Sequence, residues 1–319
     1  MVNESVRAFV RRHPVVRYAA RQLRVRLPES WGGLDRERIP PRVREFELAL
    51  PHRPDAETPE RSTLRIRAPG DYWVPSRLQA EGLVGYERSG IACFLAAIEL
   101  SPPGAVLDVG ANIGLYAALA SARSQRPVFA FEPTPAVAQV ARDIAVDNDL
   151  NYTVVELALS NHTGTGTLRL SGVTEGSNSL VEGPYPEIGR LQVPVDTLAR
   201  WRDRATIAPS VIKIDTESTE PDVVAGALEI LRRFRPWVVC EVRPERDVAD
   251  RLMALLEPLE YTWHCLGRRT PAPAQPVIVG DTERPVWLFA PVEPTDAFWS
   301  RVEEWRAALG LCQPLAPTG

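Results

Sequence analysis

Three groups of residues in this sequence have types and spacings that do chemistry. The first is Leu107-Asp-Val-Gly-Ala-Asn-Ile-Gly114, in which Asp108, Gly110, Asn112 and Gly114 recur at every second position. Glycines at a turn let the backbone come close to a ligand, and a helix starting there offers unpaired N–H groups. The second is Glu132, an acid 24 residues after Asp108, suited to accept hydrogen bonds from both hydroxyls of a ribose. The glycines follow a Gly-x-x-x-Gly spacing, so the Gly-x-Gly-x-x-Gly segment that suits a pyrophosphate is missing. Asp108, at a strand tip, suits the cationic methionyl end of S-adenosylmethionine. The turn and the acid are therefore read as a site for that cofactor, with a nicotinamide dinucleotide as the rival ligand.

The third group is Lys213-Ile-Asp-Thr-Glu-Ser-Thr-Glu220. Asp215 and Glu217 are candidate proton acceptors, and candidate ligands for a divalent cation such as Mg2+. Lys213, the one lysine in the chain, is a candidate to orient an acceptor or to pair with these acids. Glu220 reads equally well as an acid favoured at a helix N-terminus, and Glu241 is a weaker candidate. The four cysteines form no Cys-x-x-Cys pair and the four histidines no i, i+4 pair. Any metal would therefore be a hard cation held by carboxylates. His264, alone in an apolar segment, reads as a core residue. Ser177 and Asn178, in the Gly-, Ser- and Thr-rich stretch 164–180, either bind the hydroxyls of an acceptor or make a turn.

These groups need elements to hold them. Short apolar runs at 105–109, 128–131, 152–159, 210–214 and 237–241 read as strands. Helical patterns at 115–122, 135–148 and 221–234 fall between them. Near-continuous apolar strands alternating with helices predict a mostly parallel α/β sheet covered on both faces. Strands at 261–266 and 286–290, joined by a Pro-rich loop, predict an antiparallel finish. A helix over 87–100 leads to Pro102 and Pro103, which stop it, and another is predicted over 296–309. The stretch 164–180 reads as a hairpin near the mouth of the site. Residues 38–70 read as an irregular surface wrap. The expected division is an N-terminal helical and irregular extension over 1–70, a catalytic domain over 71–294, and a C-terminal helix and tail over 295–319.

Seven arginines lie within residues 1–26, which read as a basic helix. It is a solvated extension, or it meets an acidic partner, a membrane surface or a second copy in a homodimer, or closes the substrate channel. The chain as a whole has a formal charge of −4 and a pI near 5.8, which argues against nucleic acid as a partner. No apolar run approaches the length of a transmembrane helix and no secretory h-region is evident, so a cytoplasmic location is expected.

The sequence resembles the FkbM-type methyltransferase family over roughly residues 72–290. The matching segments are Gly85-Tyr-Glu87, Asp108-Val-Gly-Ala-Asn-Ile-Gly114, Phe131-Glu-Pro133, Ala158-Leu-Ser160, Ser177-Asn-Ser-Leu180, Val195-Asp-Thr-Leu198 and Lys213-Ile-Asp-Thr-Glu217. The resemblance implies a class I, Rossmann-like methyltransferase fold. It also implies methyl transfer to a hydroxyl of a small sugar or natural-product acceptor. By position, Asp108, Gly110, Asn112 and Gly114 would hold the methionyl end and Glu132 the ribose, with Ala158 and Ser160 beside the adenine. The family reads Lys-Ile-Asp-Val-Glu-Gly where this chain has Ser218 in place of the glycine, and a serine is strained there if φ is positive. A methyltransferase-like binding module without turnover and a nicotinamide-dependent oxidoreductase are the alternatives.

Overall fold

The computed structural model describes residues 43–53, 55, 60–182, 185–245, 247–267, 270–283 and 285–315. The basic segment 1–26 and its expected helix lie outside the described residues. Residues 43–49 and 63–69, expected to wrap the surface irregularly, form a pair of strands. Strand β1 (Val43–Ala49) pairs antiparallel with β2 (Thr63–Pro69). Phe46, Leu48, Leu64, Ile66 and Ala68 are buried, while Glu45, Arg65 and Arg67 face outward. That alternation is the period-two signature of a half-buried strand, here overlaid by many charged residues and prolines. Helix α1 (Trp73–Glu81), which the sequence reading lacks, follows. Next comes α2 (Arg88–Leu100), which ends before Pro102 as expected.

From there strands and helices alternate. β3 (Ala105–Val109), α3 (Leu115–Arg123), β4 (Val128–Phe131), α4 (Pro135–Asp147) and β5 (Tyr152–Val155) come first. The single strand expected over 152–159 is two. β6 (Ala158–Leu159) leaves the main sheet and pairs with β8 (Glu187–Asp196), which also pairs antiparallel with β7 (Gly164–Ser171). The hairpin expected within 164–180 therefore spans 164–196, and its tip carries a 3-10 turn at Glu175–Ser177.

Helix α5 (Leu198–Ala205), β9 (Pro209–Ile214), α6 (Glu220–Ala225), α7 (Leu228–Phe234), β10 (Trp237–Glu241) and α8 (Val248–Leu256) continue the pattern. The one helix expected over 221–234 is split at Gly226. Its backbone lies so close to the Ser160 carbonyl that a Cβ there would overlap the oxygen. β11 (Thr262–Cys265), β12 (Val286–Ala290) and α9 (Asp296–Gly310) complete the chain.

The main sheet has the order β11-β12-β10-β9-β3-β4-β5. β12 runs antiparallel to both neighbours, and the other pairs between β10 and β5 are parallel. This is the Rossmann-like α/β sheet expected, with an antiparallel strand inserted near one edge. Alternate side chains feed two cores. Val106, Val211 and Val239 join one with α2, α3, α4 and α9; Leu107, Ile212 and Val238 join the other with α5, α7 and α8. The chain leaves β3 toward β4 and leaves β9 toward β10. A crevice therefore opens between β3 and β9 at the C-terminal ends of the strands, where such sheets bind ligands. Among the described residues no helix is long and apolar enough to cross a membrane.

Candidate functional site

The glycine turn beyond β3 is shaped by the chain packed against it. Gly110 has φ +76, and a Cβ there would overlap the Asp215 carbonyl oxygen. The Asp215 amide in turn donates to the Val109 carbonyl at 3.0 Å. Gly114, φ +79, opens α3, and a Cβ on it would lie 3.0 Å from Ala141 Cβ and 3.2 Å from the Tyr152 hydroxyl. Asn112, also left-handed, accepts its neighbour Ile113 N–H on Oδ1 at 2.8 Å. Glu132, just past β4, closes the turn. Its Oε2 accepts the Asn112 amide at 3.0 Å and its Oε1 the Thr134 amide at 2.8 Å. Burial pushes its carboxyl up to about 7 against the pull of those amides.

Gly110, Asn112, Glu132 and Ala158 line one cavity of about 260 Å3, as do Ser177, Asn178, Lys213, Asp215 and Glu217. Asp108, Gly114 and Ser160 are absent from its lining. Asp108 is 0% exposed and lies beneath the turn. Its Oδ2 accepts the Ala117 amide of α3 at 3.0 Å, while Oδ1 has no hydrogen-bond partner and lies 3.9 Å from Lys213 Nζ. Burial raises its carboxyl to about 6, opposed by Lys213 and the Ala117 N–H. Ser160 is buried at the β6 end, where its amide donates to the Asp196 carbonyl at 3.0 Å. Asn178 is engaged at both ends of its amide: Oδ1 accepts the Ser171 N–H at 2.9 Å and Nδ2 donates to Thr134 Oγ1 at 3.4 Å.

The acids beyond β9 and β10 form the opposite side. Lys213 Nζ donates to Asp215 Oδ2 at 3.1 Å and stands 4.9 Å from the centre of the Tyr116 ring. Burial alone would lower its pKa, but Asp215, Asp108 and Glu87 together hold it above the usual value. Burial likewise opposes the charge on Asp215, yet Lys213, a hydrogen bond with Glu241 and Arg243 keep its pKa low. Glu217 is pushed up to about 8 by burial against the pull of Arg243. Burial, with Asp215 and Glu217 beside it, drives Glu241 well above the carboxylate range. Within the group, burial favours the neutral forms of Glu241 and Glu217, while Lys213 favours the ionised form of Asp215. Glu220 points elsewhere: its Oε1 accepts the Thr216 amide at 2.7 Å, and it does not line the cavity. His264 is fully buried with Nδ1 2.9 Å from the Ala272 carbonyl, as a core histidine should be.

Several lining residues were not singled out as site residues from the sequence. Glu87 has a left-handed backbone at φ 43 and accepts the Tyr116 hydroxyl at 2.8 Å. Burial and then Asp215 raise its pKa. Its only sequence signal was the Gly85-Tyr-Glu87 segment of the family resemblance. Arg243, two residues past Glu241, reaches both Glu241 and Glu217. Trp73, Tyr86 and Tyr185 supply aromatic walls. Glu175, at the hairpin tip, accepts the Trp73 and Val74 amides at 2.6 and 2.8 Å and so fastens that tip to the start of α1.

No curated protein sequence matches the chain significantly. Among solved structures, the FkbM methyltransferase of Methylobacillus flagellatus KT aligns at 17% identity with a TM-score of 0.39, covering 59% of this chain and 43% of that one. A ribosomal protein L11 methylase from Lactobacillus delbrueckii subsp. bulgaricus aligns at 14% identity and 0.35, covering 62% and 75%. TYW2 of M. jannaschii, in complex with AdoMet, aligns at 13% and 0.36, covering 71% and 81%. Such distant likenesses carry no weight for the chemistry. The assignment rests on the family model described as the methyltransferase FkbM domain, which matches residues 108–262 and so takes in both the glycine turn and the acid group. Over residues 108–262 the chain is similar to the methyltransferase FkbM domain.

Proposed function

We propose that this protein is an S-adenosylmethionine-dependent O-methyltransferase acting on a hydroxyl of a small sugar or natural-product acceptor. The observation that carries the reading is the cavity itself, whose lining joins Gly110, Asn112 and Glu132 with Asp215, Glu217 and Lys213. The catalytic unit in this reading is residues 71–294. The donor set suits the cofactor. Glu132 accepts one backbone amide on each oxygen and a further hydrogen bond from the Thr134 side chain; the acceptor capacity that remains suits a hydroxyl donor, and the acid-rich lining favours a cation. Gly110, Asn112 and Glu132 would hold it, with Ala158 beside them. Asp108 and Gly114 would act from beneath, by shaping the turn. When bound, S-adenosylmethionine supplies an electrophilic methyl group on a sulfonium.

The chain's own part is to align the acceptor oxygen and to take its proton. Alignment of this kind supplies up to roughly 7–11 kcal/mol. Of the two acids proposed as bases, Asp215 is held ionised by Lys213 and is the weaker base. Glu217, raised to about 8, is the stronger base once ionised, so its part as proton acceptor grows as pH rises toward that value. Lys213 orients Asp215, and Ser177 stands at the mouth to meet the acceptor.

Calorimetric titration with S-adenosylhomocysteine, and separately with NAD, tests the cofactor reading on the parent and on Glu132→Ala. Selective micromolar binding of the homocysteine compound, weakened at least roughly tenfold by the substitution, is expected. A preference for NAD, or no binding, would sink it. Radiolabelled methyl transfer to a panel of glycosides then separates an enzyme from a module that binds without turnover.

A further inference from the structure

Asp215, Glu217 and Glu241 each place a carboxylate oxygen within 4.8 Å of the other two. Carboxylate oxygens so grouped are the donors a divalent cation uses, and Asp215 and Glu217 are its candidate ligands from the sequence. The group is entered instead by two side chains. Arg243 Nε donates to Glu241 Oε2 at 2.8 Å, and its Nη2 to Glu217 Oε1 at 3.3 Å. Lys213 Nζ donates to Asp215 Oδ2 at 3.1 Å. Every acid of the three therefore has a cationic donor already.

An ion coordinated at ~2.0–2.6 Å would have to compete with Arg243 for two of the three carboxylates, and would add its charge beside both Arg243 and Lys213. Because a guanidinium keeps its charge at any accessible pH, that competition is permanent. The local chain supports the placement. Arg243 follows β10 by two residues, so its guanidinium folds back over the strand end. Glu217 faces it from a left-handed backbone at φ 55.

We propose that Arg243 occupies the divalent-cation position of this acid group, so that methyl transfer at this site is independent of metal. The proposal rests on reading the cavity as the acceptor side of a methyltransferase. Arg243 is then a positioning residue. It holds the Glu217 and Glu241 carboxylates in fixed relation and offsets their charge, leaving Glu217 to meet the acceptor. The substrate class narrows accordingly. An acceptor gripped through an ion by two adjacent oxygens does not suit this site. A single hydroxyl, carried on a body that packs against Trp73, Tyr86 and Tyr185, does.

The test uses Mn2+ alone as the probe, followed by electron paramagnetic resonance and calorimetry on the full chain. The parent is expected to show no saturable Mn2+ binding at micromolar concentrations. Arg243→Gln is expected to gain a saturable site at least roughly tenfold tighter than any parental binding. The gain should vanish when Asp215→Asn is added, and Arg243→Lys, which keeps a cation, should behave as the parent does. Micromolar Mn2+ binding to the parent overturns the proposal, as does an Arg243→Gln variant that binds no better. Should that variant fail to fold in a thermal melt, Arg243→Met is read in its place, and the parental titration decides on its own. S-adenosylhomocysteine titration of the same parent keeps the two readings apart, since its failure removes the methyltransferase proposal without altering the Mn2+ result.

Discussion

The Ser179 hydroxyl donates to the Glu217 carbonyl oxygen at 2.7 Å, tying the hairpin tip to the chain just beyond β9. Glu217 and Ser218 are consecutive left-handed residues, with φ of 55 and 74. A residue other than glycine costs ~1–2 kcal/mol in that conformation. Ser218 stands where the family pattern has glycine, so this chain carries a strain that Ser179 helps to hold. Ser218→Gly is expected to stabilise the protein by about 1 kcal/mol, a rise of roughly 2 °C in Tm. Ser179→Ala should lower stability by about 1 kcal/mol. A fall in Tm for Ser218→Gly would mean that the serine makes a contact worth more than its strain.

Gly110 is constrained by its own chain. Its φ is +76 and the Asp215 carbonyl occupies the space a Cβ needs. In Gly110→Ala the strand ends of β3 and β9 must separate, because backbone cannot move aside as a flexible side chain does. The expected result is a loss of S-adenosylhomocysteine binding by at least roughly a hundredfold, with a Tm lowered by several degrees. Binding within twofold of the parent would show that the two strand ends shift apart without consequence for the cofactor side.

The sheet was legible because each central strand is buried on both faces, which leaves a continuous apolar run in the sequence. The β1–β2 hairpin was not, since arginine, glutamate and proline overlay its alternation. Asp108 shows how a motif can mislead about direction. Its position near the tip of β3 suggested a carboxylate facing the ligand. Strand alternation instead sends Leu107 and Val109 to one layer and Asp108 to the other, under α3. That Glu132, Asp215 and Glu217 line one cavity was legible because each lies one to three residues past the C-terminal end of a central strand. Glu87 and Arg243 were not, for their place in the cavity depends on how α2 and the chain after β10 fold over it. No local spacing encodes that.

Glu175 fastens the hairpin tip to α1 by accepting the first two amides of that helix. An acid that satisfies such amides contributes about 1 kcal/mol. In Glu175→Ala both amides lose their partner, and the segment 172–179 loses its anchor on that side. Hydrogen exchange is expected to speed up by roughly fivefold at residues 73–76 and 172–179 and to stay unchanged in β3 and β9. Equal acceleration across the sheet would show that Glu175 supports the whole fold and not a local fastening. Unchanged exchange would show that the tip is held by Asn178 and Ser179 alone.

Glu220 gives stability a pH dependence of definite sign. It is 1% exposed, its Oε2 has no hydrogen-bond partner, and burial raises its carboxyl from 4.5 to about 7, with the Thr216 amide pulling the other way. Between those two values the folded protein holds a proton that the unfolded chain has lost. Stability from this residue is therefore full below about pH 4.5 and falls as pH rises to about 7. Glutamine keeps the acceptor for the Thr216 amide and has no charge to bury. The Tm of Glu220→Gln relative to the parent should rise from pH 5 to pH 8, corresponding to roughly 2–3 kcal/mol. Acids remote from Glu220 titrate alike in both proteins and cancel in that difference, while Asp215 and Glu217, which interact with its charge, add a smaller change. A gap that is the same at pH 5 and pH 8 would show that Glu220 is ionised throughout, with its charge met by a partner the buried geometry does not provide.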